Sequence, residues 1–89
     1  MEKDLDLLKL YHCGALTKLP KSLGELSALE VLCIKICPGL TSLPRSIRRL
    51  TALEVLIIRR CPELIRRCKE GVGEDWHLVS HIPDLRLED

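Results

Sequence analysis

A single offset of 24 residues organises this chain. Leu5, Leu29 and Leu53 coincide at that spacing, as do Leu8, Leu32 and Leu56, then Leu10, Ile34 and Ile58. Cys13, Cys37 and Cys61 follow, then Leu16, Leu40 and Leu64. Leu19-Pro20 recurs as Leu43-Pro44, Leu23 as Ile47, Leu26 as Leu50, and Ala28 as Ala52. The unit reads LxxLxLxxCxxLxxLPxxLxxLxx. Self-similarity at a period of this size marks a stack of identical supersecondary units. A fourth opening survives as Ile82, Leu85 and Leu87, 29 residues after Leu53, so the third unit carries about five extra residues within 66–81.

The unit dictates a local structure. Side chains alternate along a strand, so the two Leu of LxL point to one side, inward. The third unit places Val55-Leu56-Ile57-Ile58 there, rich in strand formers. One such strand cannot bury its inner face alone; stacking gives a parallel sheet over a continuous apolar core. The Leu-Pro of each return removes a backbone donor and fixes φ, which favours an irregular or short 3-10 return over a long helix. Ser22 and Ser46 suit such local turns. The expected architecture is α/β: a repeat solenoid with about four short parallel strands on the concave side, irregular or 3-10 convex returns, and a short helix near the C-terminus. It forms a single domain over 1–89, with repeats 5–28, 29–52 and 53–81 and a terminal strand and cap at 82–89.

Length and composition agree with this. Eighty-nine residues allow one small domain with a thin stability margin. Phe is absent, and Trp76 and Tyr11 are the only aromatics, so aliphatic layers must build the core. The net charge of +1 excludes a global pull toward nucleic acid or anionic membrane. Charge is nonetheless segregated. Residues 1–44 balance five Lys against five acids, residues 45–69 carry +6 and residues 70–89 carry −5. Such a basic block and acidic tail can pair with each other; the alternative is recognition of an acidic partner. The start, Met1-Glu2-Lys3-Asp4, lacks the basic and apolar regions of a signal peptide, and the run Val55–Ile58 is too short to span a bilayer. The five cysteines are therefore expected as reduced cytoplasmic thiols.

Several residues together resemble a known family. Cys37-Pro38-Gly39-Leu40 and Cys61-Pro62-Glu63-Leu64 place Cys-Pro before a Leu. Leu-Thr-Ser-Leu-Pro at 40–44 leads into Leu50-Thr51-Ala52-Leu53-Glu54. Arg67-Cys68-Lys69-Glu70-Gly71 runs through Gly73-Glu74-Asp75-Trp76-His77 to His81-Ile82-Pro83. Over nearly the whole chain these resemble the C-terminal leucine-rich repeats of plant nucleotide-binding leucine-rich-repeat disease-resistance proteins. The resemblance implies a leucine-rich-repeat solenoid in a cytoplasmic immune receptor, binding a pathogen effector or restraining a neighbouring receptor domain. No P-loop GxxxxGK[ST] occurs, so no nucleotide or other cofactor is expected. A start at Met1 inside a repeat predicts a piece of a larger receptor. In the family pattern Asn commonly holds the place of Cys13, Cys37 and Cys61; a small buried thiol with a weak donor serves there as a structural ladder.

Strand residues that point away from the core define the expected binding face. Register gives one lane of Leu7, Val31, Val55 and Asp84, and a second of Lys9, Cys33, Ile57 and Arg86. A third holds Tyr11, Lys35, Arg59 and Glu88, a fourth His12, Ile36, Arg60 and Asp89. Asp6, Glu30 and Glu54 flank them. The protein-binding candidates are Tyr11, Lys35, Arg59, Arg60, Val31, Val55, Ile57 and Lys9, since Tyr and Arg favour interface hot spots. The bland account is that Val and Ile sit there because strands favour them.

Other constellations are weaker. Cys61, Cys68, His77 and His81 lack zinc-finger spacing, since two to four residues between the cysteines and about twelve before the histidines are needed. Cys68 with His77 or His81 has no acid or oxyanion element, so no catalysis is expected. The Arg45–Lys69 block lacks an aromatic platform for nucleic acid. Asp75 to Ser80 is expected as a short helix capped by Asp75, with Trp76 covering the last layer. At the other end Leu5, Leu8 and Leu10 would lie uncovered beside an open strand edge, which predicts weak homodimerisation there.

Overall fold

A computed structural model describes residues 5–88. Four parallel strands form one sheet in sequence order: β1 (Leu7–Tyr11), β2 (Val31–Lys35), β3 (Val55–Arg59) and β4 (Asp84–Glu88). Leu7 pairs with Val31, Val31 with Val55, and Val55 with Asp84, so the lanes expected from the repeat are the lanes of the sheet. Asp89 lies outside the described residues.

Leu32, Ile34, Leu56 and Ile58, the inward members of β2 and β3, are completely buried. Their counterparts in the outer layers, Leu8, Leu10, Leu85 and Leu87, are only partly buried, because each has a packed neighbour on one side alone. The core is therefore a ladder of aliphatic rungs that thins toward both ends, as nearest-neighbour stacking requires.

The returns of the first two units are nearly identical 3-10 turns, at Lys21–Glu25 and Arg45–Arg49. Pro20 and Pro44 precede them in extended conformation, with φ −72° at each. Leu23 N–H donates to the Pro20 carbonyl at 3.1 Å, Leu26 to Leu23 at 3.1 Å, and Leu29 to Leu26 at 3.0 Å. The second unit repeats this through Pro44, Ile47, Leu50 and Leu53. A 3-10 turn has three residues per turn, so apolar side chains every third residue eclipse one another on the buried side. The spacing Pro-x-x-Leu-x-x-Leu-x-x-Leu thus writes this return directly.

The third return departs from the expected irregular or 3-10 form. Pro62–Arg67 is an α-helix, α1, with Ile65 N–H donating to the Cys61 carbonyl at 2.9 Å and Cys68 to Leu64 at 3.1 Å. Pro62 occupies the first turn, where its missing donor costs nothing and its φ is helical. Glu63, Leu64, Ile65, Arg66 and Arg67 then continue it, because no second Leu-Pro stops them.

The expected helix at 75–80 is present as α2 (Trp76–Val79), and Trp76 packs half-buried on the core. Asp75 does not cap it. Its carboxylate is turned inward and buried, 5% exposed, where it accepts Arg67 Nε at 3.1 Å, Arg67 Nη2 at 3.0 Å and the Leu43 N–H at 3.3 Å. Arg67 also reaches Glu74 at 2.8 Å. A planar guanidinium fork prefers a carboxylate to solvent when the pair is this well oriented, and the pair outweighs a single capping bond. It ties the tail to the Leu-Pro turn of the second unit.

The expected pairing of basic block with acidic tail holds for part of the block only. Arg66 pairs with Glu63 and Glu74, Arg67 with Glu74 and Asp75, and Arg86 with Asp84. Among the described residues Arg45, Arg48, Arg49, Arg59, Arg60 and Lys69 make no ion pair. No helix of the described residues is long and apolar enough to cross a membrane.

Candidate protein-binding face

The outer face of β1–β4 is built by the same alternation that buries the leucines. Every second strand residue must point away from the core. The first lane, Leu7, Val31 and Val55, is a partly exposed apolar strip ending at Asp84. In the second lane Lys9 is exposed and Ile57 half-buried, while Cys33 is covered, 4% exposed. The cover comes in part from Tyr11, whose hydroxyl lies 3.7 Å from the Cys33 sulfur. That contact, first, and burial, second, hold the Tyr11 hydroxyl above its ordinary pKa.

The third lane carries the charge. Lys35 Nζ stands over the Tyr11 ring, 5.3 Å from its centroid, a cation–π placement. Arg59 lies next in register and is exposed, and Glu88 closes the lane on β4. Asp84 and Arg86 pair with each other at 2.9 Å, so β4 is left with the single charge of Glu88. The cations of the face, Lys9, Lys35 and Arg59, thus lie on β1, β2 and β3. Asp6, Glu30 and Glu54 are exposed just before β1, β2 and β3, and form the acidic rim.

The fourth lane lies one residue beyond the strands. His12, Ile36 and Arg60 all have positive φ, at 57°, 56° and 56°. This left-handed step turns the chain off the sheet while Lys35, Arg59 and Glu88 carbonyls accept their N–H groups at 3.0, 2.9 and 3.0 Å. It is unfavourable for any residue with a Cβ and most so for the branched Ile36. The three hydrogen bonds across the stack offset the strain and fix Arg60 beside Arg59 at the edge of the face.

Sequence reasoning placed all eight candidates, Lys9, Tyr11, Val31, Lys35, Val55, Ile57, Arg59 and Arg60, on this face or its edge, and the strands bring them together. It did not single out the paired 3-10 turns on the opposite side. The 24-residue offset that aligns Lys21 with Arg45 and Glu25 with Arg49 was the available signal.

The repeated cysteines form the expected ladder beneath the turn. Cys13, Cys37 and Cys61 thiols donate to the carbonyls of Tyr11, Lys35 and Arg59 at 3.5, 3.4 and 3.4 Å, and the Cys37 N–H reaches the Cys61 sulfur at 3.4 Å. All five cysteines are free thiols. Burial pushes the Cys68 thiol up to about 12 from an ordinary 9.0, with Asp75 adding to the shift and Arg67 opposing it. The fold therefore keeps a proton that the unfolded chain releases. Stability is complete below about pH 9 and declines between 9 and 12, by at most about 1.4 kcal/mol per pH unit for this group. Urea midpoints at pH 8, 10 and 11 should fall, and Cys68→Ala should flatten the fall. An equal slope in that variant would remove Cys68 as the cause.

No family model matches the chain. Disease resistance protein RGA2 of Solanum bulbocastanum is 56% identical over 25 residues, 28% of this chain and 3% of that protein. RGA1 of the same species is 54% identical over 24 residues, 27% of this chain and 2% of its own length. The chain thus spans a few per cent of the length of these relatives. The leucine-rich repeat domain of the type III effector XopL superposes with a TM-score of 0.71 at 33% identity, over 97% of this chain and 29% of that one. The chain is a leucine-rich-repeat solenoid, and its repeats are similar to those of plant disease resistance proteins.

Proposed function

We propose that this leucine-rich-repeat solenoid is a protein-binding module of a plant immune receptor, with the outer face of β1–β3 as its contact surface. Its partner is a pathogen effector or a neighbouring domain of the receptor, met in the cytoplasm. The observation that carries the reading is the column Tyr11, Lys35 and Arg59 with Arg60 beside it. These side chains share the face with an apolar strip, from which the lane of Lys9, Cys33 and Ile57 separates them, and enter no ion pair among the described residues. A partly apolar centre flanked by Tyr and Arg is the composition of a contact patch, and a rigid sheet presents it with little ordering cost. Likeness to disease resistance proteins supports the setting.

The test reverses the charge. Arg59→Glu with Arg60→Glu, in the receptor that carries these repeats, should abolish the defence response to its effector or release it without one. Both side chains are exposed, so the melting temperature should stay within about 3 °C of the parent. An unchanged response with an intact fold would rule this face out.

A second reading is weak homodimerisation through β1. Leu5 and Leu7 are 36% and 42% exposed beside a strand edge that is unpaired among the described residues. Such a dimer leaves Arg59 and Arg60 free. Sedimentation of the chain in the same experiment separates the two: a monomer at high concentration eliminates the dimer, and a dimer unaffected by the Arg pair supports it.

A further inference from the structure

We propose that the convex side holds a second interaction surface, a cationic groove between the two 3-10 turns that takes an acidic protein segment. The groove has a volume of about 470 Å³ and is lined by Lys21, Glu25, Pro44, Arg45, Ser46 and Arg49. It follows from the repeat. Two turns of nearly identical shape, 24 residues apart, lie side by side, so Lys21 and Glu25 line the groove from one turn and Arg45 and Arg49 from the next. Lys21, Arg45 and Arg49 are exposed, as is Arg48 on the same turn, and none has an ion pair among the described residues. Glu25 is the one acid, which leaves the lining at +2.

The contrast with the neighbouring return is informative. On α1 the two arginines are neutralised by Glu63, Glu74 and Asp75. Among the described residues the chain thus pairs its own carboxylates with one stretch of the basic block, and leaves Glu25 as the single acid beside the adjacent one, not within ion-pair distance. The groove is also rigid. A Cβ on Gly24 would stand 2.7 Å from the Ser46 Cβ and carbonyl oxygen, so the two turns already touch along its floor. The Ser46 hydroxyl, on a residue that lines the groove, is buried without a hydrogen-bond partner among the described residues.

Charge complementarity selects the occupant. Three cations around an apolar Pro44 wall suit a short Asp/Glu segment that carries aliphatic carbon between its charges. Glu25 interrupts the row where continuous phosphates would need attraction, and no aromatic lines the groove to stack bases. The surface lies on the returns, away from the sheet, so it works independently of the strand face proposed above.

The test uses a fluorescein-labelled Asp/Glu-rich dodecapeptide and the 89-residue chain, read by anisotropy at low salt. Saturable binding is expected, weakened about tenfold by Arg45→Glu with Arg49→Glu, strengthened by Glu25→Gln, and lost at high salt. Arg59→Glu with Arg60→Glu should weaken it clearly less than the groove pair does, since those residues stand on the other side and act only through long-range charge. Circular dichroism confirms that each exposed-site variant folds. The proposal is overturned if no saturable binding occurs, if both arginine pairs weaken it equally, or if a single-stranded oligonucleotide of equal charge binds more tightly than the peptide.

Discussion

Leu56→Ala should cost about 3–5 kcal/mol, whereas Leu8→Ala should cost less than about half of that. The two residues hold the same place in the repeat and differ only in layer. Leu56 is fully buried on β3, between the rungs of β2 and β4. Its deletion leaves a cavity that neighbours on both sides prevent from collapsing. Leu8 on β1 is half-buried with a rung on one side only, so water already reaches part of its surface. A chain of 89 residues has a total stability on the order of 4–13 kcal/mol, so the first substitution removes a large share of it. Urea denaturation followed by far-ultraviolet circular dichroism measures both. Equal costs would contradict the layered account, because they would mean that the β1 layer is as enclosed in solution as β3.

The same layering explains how much of the fold was legible from the residues. A strict 24-residue offset fixes sheet register without reference to energy. Leu7, Val31 and Val55 must fall in one lane, and they do. Alternation then decides which side chains face inward, so the strand candidates fall on the outer face. The 3-10 turns were legible for a different reason: Pro20 and Pro44 each begin a run of apolar residues every third position. Cys37-Pro38 and Cys61-Pro62 mark where this kind of reading ends. The same dipeptide is followed in one unit by Gly39 and in the other by Glu63, and only the second continues as a helix. A Cβ on Gly39 would come within 3.2 Å of the Leu16 carbonyl oxygen, so the second unit hugs its neighbour where the third swings out. Propensity alone would have suggested α1; the repeat pattern argued against it, and the local sequence won.

Asp75 departs from its expected capping role for a related reason. A short polar residue before a helical stretch is a good cap by local rules. The pair it makes with Arg67 spans eight residues that lie outside the period, and its third bond reaches Leu43, 32 residues away. Neither partner is visible to a local rule or to a repeat offset. The convex groove is not legible in charge read along the chain, where Arg45–Lys69 forms one block. In three dimensions that block divides: Arg66 and Arg67 on α1 are paired, while Arg45, Arg48 and Arg49 on the second 3-10 turn, Arg59 and Arg60 at the end of β3, and Lys69 enter no ion pair among the described residues.

Gly73→Ala should be the most damaging single change in the tail, costing about 3 kcal/mol or more, while Gly71→Ala costs only about 1. Gly71 has φ +78° but open space around its Cα, so an alanine there meets a conformational penalty and no obstruction. Gly73 is obstructed by backbone. An added Cβ would overlap the Arg67 carbonyl oxygen, stand 2.5 Å from the Arg67 carbonyl carbon and 2.6 Å from the Lys69 nitrogen. Backbone atoms at the end of a helix cannot rotate aside as a side chain can. The tail must therefore lift from α1, and what it holds goes with it. The Gly73 N–H bond to Lys69 at 2.8 Å and the Asp75 N–H bond to Arg67 at 2.6 Å stretch first. The Arg67–Asp75 fork and its link to Leu43 follow, and Leu78 and Val79 lose their cover on the last layer. Trypsin reports this directly, because Arg66, Arg67 and Lys69 lie where α1 meets the tail. Cleavage there should accelerate strongly in Gly73→Ala and little in Gly71→Ala. The reverse order would mean that left-handed backbone, and not the close approach of the tail to α1, sets the conformation of the one segment that breaks the repeat.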